Sequence, residues 1–173
     1  MIENNWITLV KPNKVDYKIS DNKKFGTVVI EPLEKGFGTT LGNALRRVLL
    51  SSLQGTAISS IKINGVLHEF STIEGVREDV TDIIMNLKNV TFNSNSSHSQ
   101  KLSLNVKGPK EVLSSDFEEN PEVEIIDKEA VIMNVDSNRE VNLEIFLDVN
   151  KGYISAEKNK DNDNKSVGQI MLD

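Results

Sequence analysis

Apolar residues recur at helical spacing in two parts of the chain. Between residues 41 and 53 they return every three or four positions, which predicts an α-helix with one apolar face. The members of this face are Leu41, Ala44, Leu45, Val48 and Leu49. A second helix is predicted after Ser71 and Glu74, which have the spacing of a capping box. Both apolar faces are expected to pack on a core, and the second comprises Val76, Val80, Ile83, Ile84 and Leu87.

Elsewhere apolar and polar residues alternate, which is the pattern of a half-buried β-strand. The strictest alternation covers residues 141–149. Asn64-Gly65 separates the runs 58–63 and 66–70 and predicts a hairpin, because both residues tolerate positive φ angles. Further strands are predicted at 6–11, 15–19, 27–33, 102–106, 123–126, 131–135 and 153–156, and a polar stretch follows at 158–165. Strands and helices do not alternate regularly, so the predicted fold class is α+β.

Charge and composition narrow the class of protein. The formal net charge is −6, from 20 basic and 26 acidic residues, which argues against an autonomous nucleic-acid binder. No apolar run approaches the roughly 20 residues that a membrane helix needs, and the N-terminus lacks the order of a secretory signal. The chain has no cysteine, so thiolate chemistry and disulfides are excluded. We therefore expect a cytoplasmic protein without a membrane partner.

The residues that could bind a cofactor or a metal do not complete any known motif. The glycine-rich turn at 36–42 has its third glycine one position late for a dinucleotide site, so a turn with close helix packing is the simpler interpretation. His68 and His98 lack the partners of a zinc motif, and the Asp/Asn run at 161–163 lacks the glycine of a calcium loop. The acidic loop at 116–119 is expected to be a solvated face. We expect no cofactor and no metal, with a small-molecule enzyme using the glycine turn as the rival hypothesis.

The first predicted helix carries a second stripe beside its apolar face. This stripe consists of Asn43, Arg46, Arg47 and Leu50, spaced i, i+3, i+4 and i+7. Arginine next to leucine on an exposed helix is common at protein interfaces, where arginine is enriched. The spacing alone is equally compatible with a solvated arginine pair.

Longer motifs resemble the α subunit of bacterial RNA polymerase. They are EPLEKGFGTTLGNALRRVLLSS at 31–52, NGVLHEFST at 64–72 and EGVREDV at 74–80, with a weaker likeness at 167–173. The resemblance implies a discontinuous dimerisation domain, of which residues 1–54 are the first half, and a β-rich domain inserted at 55–173. The second half of that domain and the family's DNA-binding domain are missing from this sequence. Direct nucleic-acid contact is therefore not expected of this chain.

The resemblance also implies a function and a set of contact residues. Members of this family are non-catalytic subunits that dimerise and then recruit the β and β′ subunits for DNA-directed transcription. Contacts with β carry over onto Arg47, with Asn43, Arg46 and Leu50 beside it, and contacts with β′ carry over onto Asp82 and Lys88. The dimer interface is expected at Leu41, Leu45, Leu49 and Leu53. A protein-interaction domain unrelated to transcription is the remaining alternative.

Overall fold

The computed structural model describes residues 7–21, 25–161 and 168–173, and the chain divides into two compact units, up to and after residue 50. The first unit contains an antiparallel hairpin and a helix. The strands of the hairpin are β1 (Lys14–Ile19) and β2 (Gly26–Glu31), paired from Lys14 opposite Glu31 to Ile19 opposite Gly26. Residues 7–11, the described part of the strand predicted at 6–11, form no strand. The strands predicted at 15–19 and 27–33 are confirmed with small shifts in their bounds.

The helix of the first unit, α1, spans Phe37–Ser51. It begins after Gly36, whose φ of 90° turns the chain, and Phe37 N–H donates to the Glu34 carbonyl at 3.0 Å. No residue of α1 is buried in this chain. The prediction that its apolar face packs on a core is therefore wrong for the described chain. The physical reason is that β1 and β2, the other elements formed by the described residues of this unit, are short strands, which cannot cover a helix of 15 residues.

The second unit is built on an antiparallel sheet of six strands. The strands of this unit are β3 (Gln54–Ile63), β4 (Phe92–Ser94), β5 (Gln100–Lys107), β6 (Lys110–Leu113), β7 (Val123–Ile125), β8 (Val131–Val135), β9 (Glu140–Lys151) and β10 (Gln169–Met171). The order in the sheet is β5-β9-β3-β4-β7, and β10 also pairs with β3. Strands β6 and β8 form a separate pair. The helical elements are α2 (Val80–Lys88), a 3-10 turn (Ser114–Asp116) and α3 (Ala156–Asp161).

The core of the second unit lies on one face of this sheet. The alternation predicted for 141–149 is confirmed up to Leu147, because every second side chain of β9 from Val141 is buried. Leu102, Leu104 and Val106 of β5 lie in register with these residues. Helix α2 packs on β8 and β3. It buries the predicted apolar residues Val80, Ile83, Ile84 and Leu87.

The hairpin predicted at Asn64-Gly65 is wrong in its second half. The turn forms, with a φ of 83° at Gly65, but residues 66–70 are not a strand. Strand β3 has no free side for them, since β9 pairs along one side and β4 and β10 share the other. A bulge at Ser59 interrupts the pairing with β9, and the Ser59 carbonyl accepts from the Leu172 N–H at 2.9 Å.

Two local predictions are also corrected. The N-cap of α2 is Asp79, not Ser71, because its carboxylate accepts from the Asp82 N–H at 2.7 Å. Residues 153–155 form no strand, and the polar stretch begins as α3 instead. The remainder of that stretch, 162–165, lies outside the described residues, as does most of the Asp/Asn run at 161–163.

Candidate partner-binding surfaces

Helix α1 brings together the residues that are predicted to contact the β subunit. Asn43, Arg46, Arg47 and Leu50 all lie on this helix and all are exposed. Leu50 has 64% of its surface accessible, and it follows Arg47 by three residues on the same side of the helix. The arrangement offers one guanidinium pair next to apolar surface. Such a surface can donate several directed hydrogen bonds to a partner and bury a leucine in the same contact.

The leucines predicted for the dimer interface are exposed as well. Leu41, Leu45 and Leu49 follow one another at four-residue steps on α1, and their accessible fractions rise from 36% to 63%. Leu53, which is 55% accessible, lies beyond the last residue of the helix. An apolar stripe of this kind is a candidate association surface, because burying each leucine is worth about 1.5–3 kcal/mol.

The structure does not bring the two residues predicted to contact the β′ subunit into one site. Asp82 lies in the first turn of α2 and Lys88 in its last. Six residues at about 100° each place them on different faces of the helix. Asp82 is exposed beside the N-cap, where a carboxylate is favourable for the helix dipole.

Lys88 is already engaged within the chain. Its ammonium forms an ion pair with the Asp173 carboxylate, which also accepts from the Tyr153 hydroxyl at 3.0 Å. The bond from Lys88, followed by the bond from Tyr153, lowers the pKa of Asp173 below its usual value. The same carboxylate raises the pKa of Tyr153. A partner that binds Lys88 would therefore compete with Asp173.

The loop before α2 is held by polar contacts that the sequence did not indicate. Glu78 accepts from both the backbone N–H of Asn134 at 2.6 Å and its side-chain amide at 2.7 Å. The next two contacts are ion pairs, Arg77 with Asp136 at 3.2 Å and Glu74 with Arg139 at 2.7 Å. These contacts fix the start of α2 against β8 and the turn that follows it. Their partners are more than 50 positions apart, so local spacing could not reveal them.

Two large apolar side chains in the preceding segment were also missed. Leu67 and Phe70 are 74% and 81% accessible, which adds a second exposed apolar surface. The only signal in the sequence was the motif at 64–72. His68 lies between them, and its Nδ1 is 3.1 Å from the Ser71 hydroxyl.

The candidate cofactor and metal residues are not assembled into a site within the described chain. Gly38 and Gly42 lie inside α1, and a Cβ added at either would meet no atom within 4 Å. The expectation of close helix packing at this turn is therefore wrong. Across residues 7–21, 25–161 and 168–173, no three acidic or histidine side chains are grouped as metal ligands. The same residues include no helix with the length and apolarity needed to cross a membrane.

A comparison with protein families matches most of the chain. The model of the RNA polymerase Rpb3/RpoA insert domain aligns with residues 61–173. The match begins within β3 and includes α2, Asp82, Lys88 and all the later strands, whereas α1 precedes it. Because the aligned residues are well over half of the 173, this chain belongs to the RNA polymerase Rpb3/RpoA insert-domain family.

Proposed function

We propose that this chain acts as the α subunit of a bacterial RNA polymerase, in which it dimerises and recruits the β and β′ subunits. Its family makes it a polymerase subunit of the α/Rpb3 type, which takes part in assembly and is not catalytic itself. The finer roles rest on the surface of α1, whose residues are all exposed. This exposure is the observation that carries the proposal.

The leucine stripe of α1 supports dimerisation. Leu41, Leu45 and Leu49 present apolar surface that a second copy of the same helix could cover. Symmetric dimers use one patch on both subunits, and a repeated leucine spacing suits such a self-complementary contact. We expect Leu53 to extend this contact beyond the end of the helix.

The arginine stripe supports binding of β. Arg47, Arg46 and Asn43 supply donors on the side of α1 that also carries Leu50. A partner with carboxylates or backbone carbonyls around an apolar pocket would fit this combination. Recruitment of the β′ subunit would use α2. Asp82 and Lys88 would contact β′ at separate points, and Lys88 would exchange Asp173 for a carboxylate of β′.

Pull-down of purified β and β′ with the chain tests this function directly. In a quantitative β-binding assay, Arg47→Ala should weaken the affinity by about 2 kcal/mol, roughly 30-fold, as truncation of interface arginines does. Arg139→Ala is the matched control, because it removes an exposed arginine of the β-rich unit. Unchanged affinity of Arg47→Ala, with an unchanged circular dichroism spectrum, would contradict the assignment.

A further inference from the structure

A groove lies where the two edge strands of the six-stranded sheet come near each other. Its volume is about 610 Å³, within the usual range for ligand pockets. Leu102 of β5 and Val123 and Ile125 of β7 line it from opposite edges. Phe117 and Pro121, from the segment between β6 and β7, complete the apolar part of the lining. We call this feature the edge groove.

The edge of β5 is already covered. The carbonyl of Ser103 accepts from the Glu118 N–H at 2.9 Å, and the carbonyl of Lys101 accepts from the Asn120 side chain at 3.4 Å. The connecting segment thus occupies the outer hydrogen-bonding groups of this strand. Covering an edge in this way prevents it from pairing with another chain.

The edge of β7 is open at Ile125. The Ile126 N–H donates to the Thr91 carbonyl at 3.0 Å, on the side of β4, whereas the Val123 N–H donates away from β4 to the Asn120 carbonyl at 3.1 Å. Because alternate residues of a strand direct their backbone groups to opposite sides, Ile125 faces away from β4 with Val123. Among the described residues, none pairs with Ile125 on that side.

The rim of the edge groove is negatively charged. Glu118, Glu119 and Glu124 line it and are exposed, and none of them forms an ion pair with a described residue. Lys128, the only basic side chain between residues 111 and 129, also lines the groove, so three carboxylates face one ammonium there. A ligand with positive charge at its flanks would therefore gain from this rim without displacing an internal partner.

We infer that the edge groove binds an extended segment of a partner protein that carries an apolar residue flanked by lysine or arginine. The segment pairs its backbone with Ile125 and so adds a strand to the edge of β7. Its apolar side chain enters between Leu102 and Val123, and its basic side chains meet the carboxylates of the rim. This interaction is additional to the proposed assembly contacts, because it uses neither α1 nor α2.

Fluorescence polarisation with the 173-residue chain tests this inference. The probe is a labelled peptide of sequence Lys-Val-Lys-Val-Lys, and the comparison peptides replace lysine by glutamate or carry N-methyl groups along one edge. Glu118→Lys with Glu119→Lys should weaken binding of the basic peptide at least tenfold. Glu111→Lys with Glu157→Lys is the control of equal charge, since both residues are exposed and lie outside the groove, and it should change binding less than twofold.

Hydrogen exchange followed by NMR supplies the second measurement. Peptide binding should slow exchange of the Ile125 amide, and the N-methylated peptide should bind at least tenfold more weakly. Equal loss of binding in the two double variants would overturn the inference, because it would reveal attraction to net charge alone. Absence of binding at about 1 mM peptide, or unchanged exchange at Ile125, would overturn it as well.

Discussion

Two glycines share a backbone conformation but differ in what surrounds them. Gly75 and Gly65 have φ angles of 82° and 83°, in the left-handed region that disfavours a side chain. A Cβ at Gly65 would meet no atom within 4 Å, whereas at Gly75 it would lie 2.0 Å from the Ser137 hydroxyl oxygen. The Gly75 carbonyl also accepts from the Asp136 N–H at 2.9 Å, which holds the loop in place.

Alanine at these two positions should separate the free-energy cost of the left-handed backbone conformation from that of the steric clash with Ser137. We expect Gly65→Ala to lower the free energy of unfolding by about 1 kcal/mol, from the φ angle alone. Gly75→Ala should cost at least about 1 kcal/mol more, because Ser137 must move. Urea denaturation of both variants measures the difference, and equal losses would show that the loop relaxes freely around Gly75.

Asp116 is a partly buried carboxylate with hydrogen-bond partners inside the chain. Burial raises the pKa of Asp116, but hydrogen bonds from Lys110 at 2.6 Å and from the Leu113 N–H at 2.9 Å outweigh it, so the pKa is lowered overall. The side chain is 21% accessible. The composition of the acidic loop suggested a uniformly solvated face. The loop is not uniformly solvated, because composition does not indicate which carboxylate turns inward.

The lowered pKa of Asp116 predicts how stability depends on pH. A carboxylate with a folded pKa below the unfolded value, about 3.9, stabilises the fold fully above that value and loses the effect as pH falls through the folded pKa. Asp116→Asn should therefore lower the free energy of unfolding at pH 7 by about 1 kcal/mol and make stability less dependent on pH below about 4. Thermal melts at pH 7 and at acidic pH provide the measurement. Parallel losses at both pH values would contradict it.

Helices and strands could be predicted from the sequence where the apolar spacing of their own residues determines the buried face. Residues of β9 alternate because one face meets the core, and α2 carries its buried residues at helical spacing. Strand β10 has only three residues, too few for a pattern, and the missing hairpin depended on distant strands that occupy both sides of β3. Local patterns therefore predicted elements but not their neighbours.

The stability of the β-rich unit should depend on β9. Ile145 is fully buried at the centre of this strand. Replacing it with aspartate should cost several kcal/mol, because the charge would be buried without a partner. Ser96→Asp is the control: aspartate can still accept the bond that the Ser96 hydroxyl receives from the His98 N–H. Similar melting temperatures for the two variants would contradict the assigned role of β9.

The candidate partner-binding surfaces were also predictable only where their residues lie on one element. The two stripes of α1 could be read from helical spacing, since all their members lie within one helix apart from Leu53. The pairing of Asp82 with Lys88 rested on resemblance, and helix geometry separates them. The edge groove could not be predicted, because it requires strands β5 and β7 to approach each other across the sheet.

At the scale of the whole molecule, apolar burial is very uneven. The residues after 50 contain a contiguous core centred on β9, whereas the described residues up to 50 contain no buried side chain. Helices without tertiary packing are marginal in water when they are only about 12–15 residues long. We therefore expect the order of α1 to depend on association with another chain.

Self-association should depend on the leucine stripe. Leu45→Asp combined with Leu49→Asp should weaken any dimer at least tenfold, because two charges would enter an apolar contact. Analytical ultracentrifugation over a range of concentrations measures the effect. Leu67→Asp is the control, since it changes an even more exposed leucine in the β-rich unit and should leave the dimer intact. A chain that stays monomeric at about 100 μM, with α1 protected from hydrogen exchange, would contradict the proposal.

The position of β10 has a consequence for the newly made chain. Strand β3 emerges from the ribosome early, but its neighbour β9 ends at Lys151 and its neighbour β10 begins only at Gln169. The hydrogen bond from the Leu172 N–H to the Ser59 carbonyl likewise cannot form until Leu172 has been synthesised. Contacts so distant in sequence form slowly, and exposed strands are prone to aggregate in the meantime. During translation, the apolar residues of β3 are therefore the segment most in need of a chaperone.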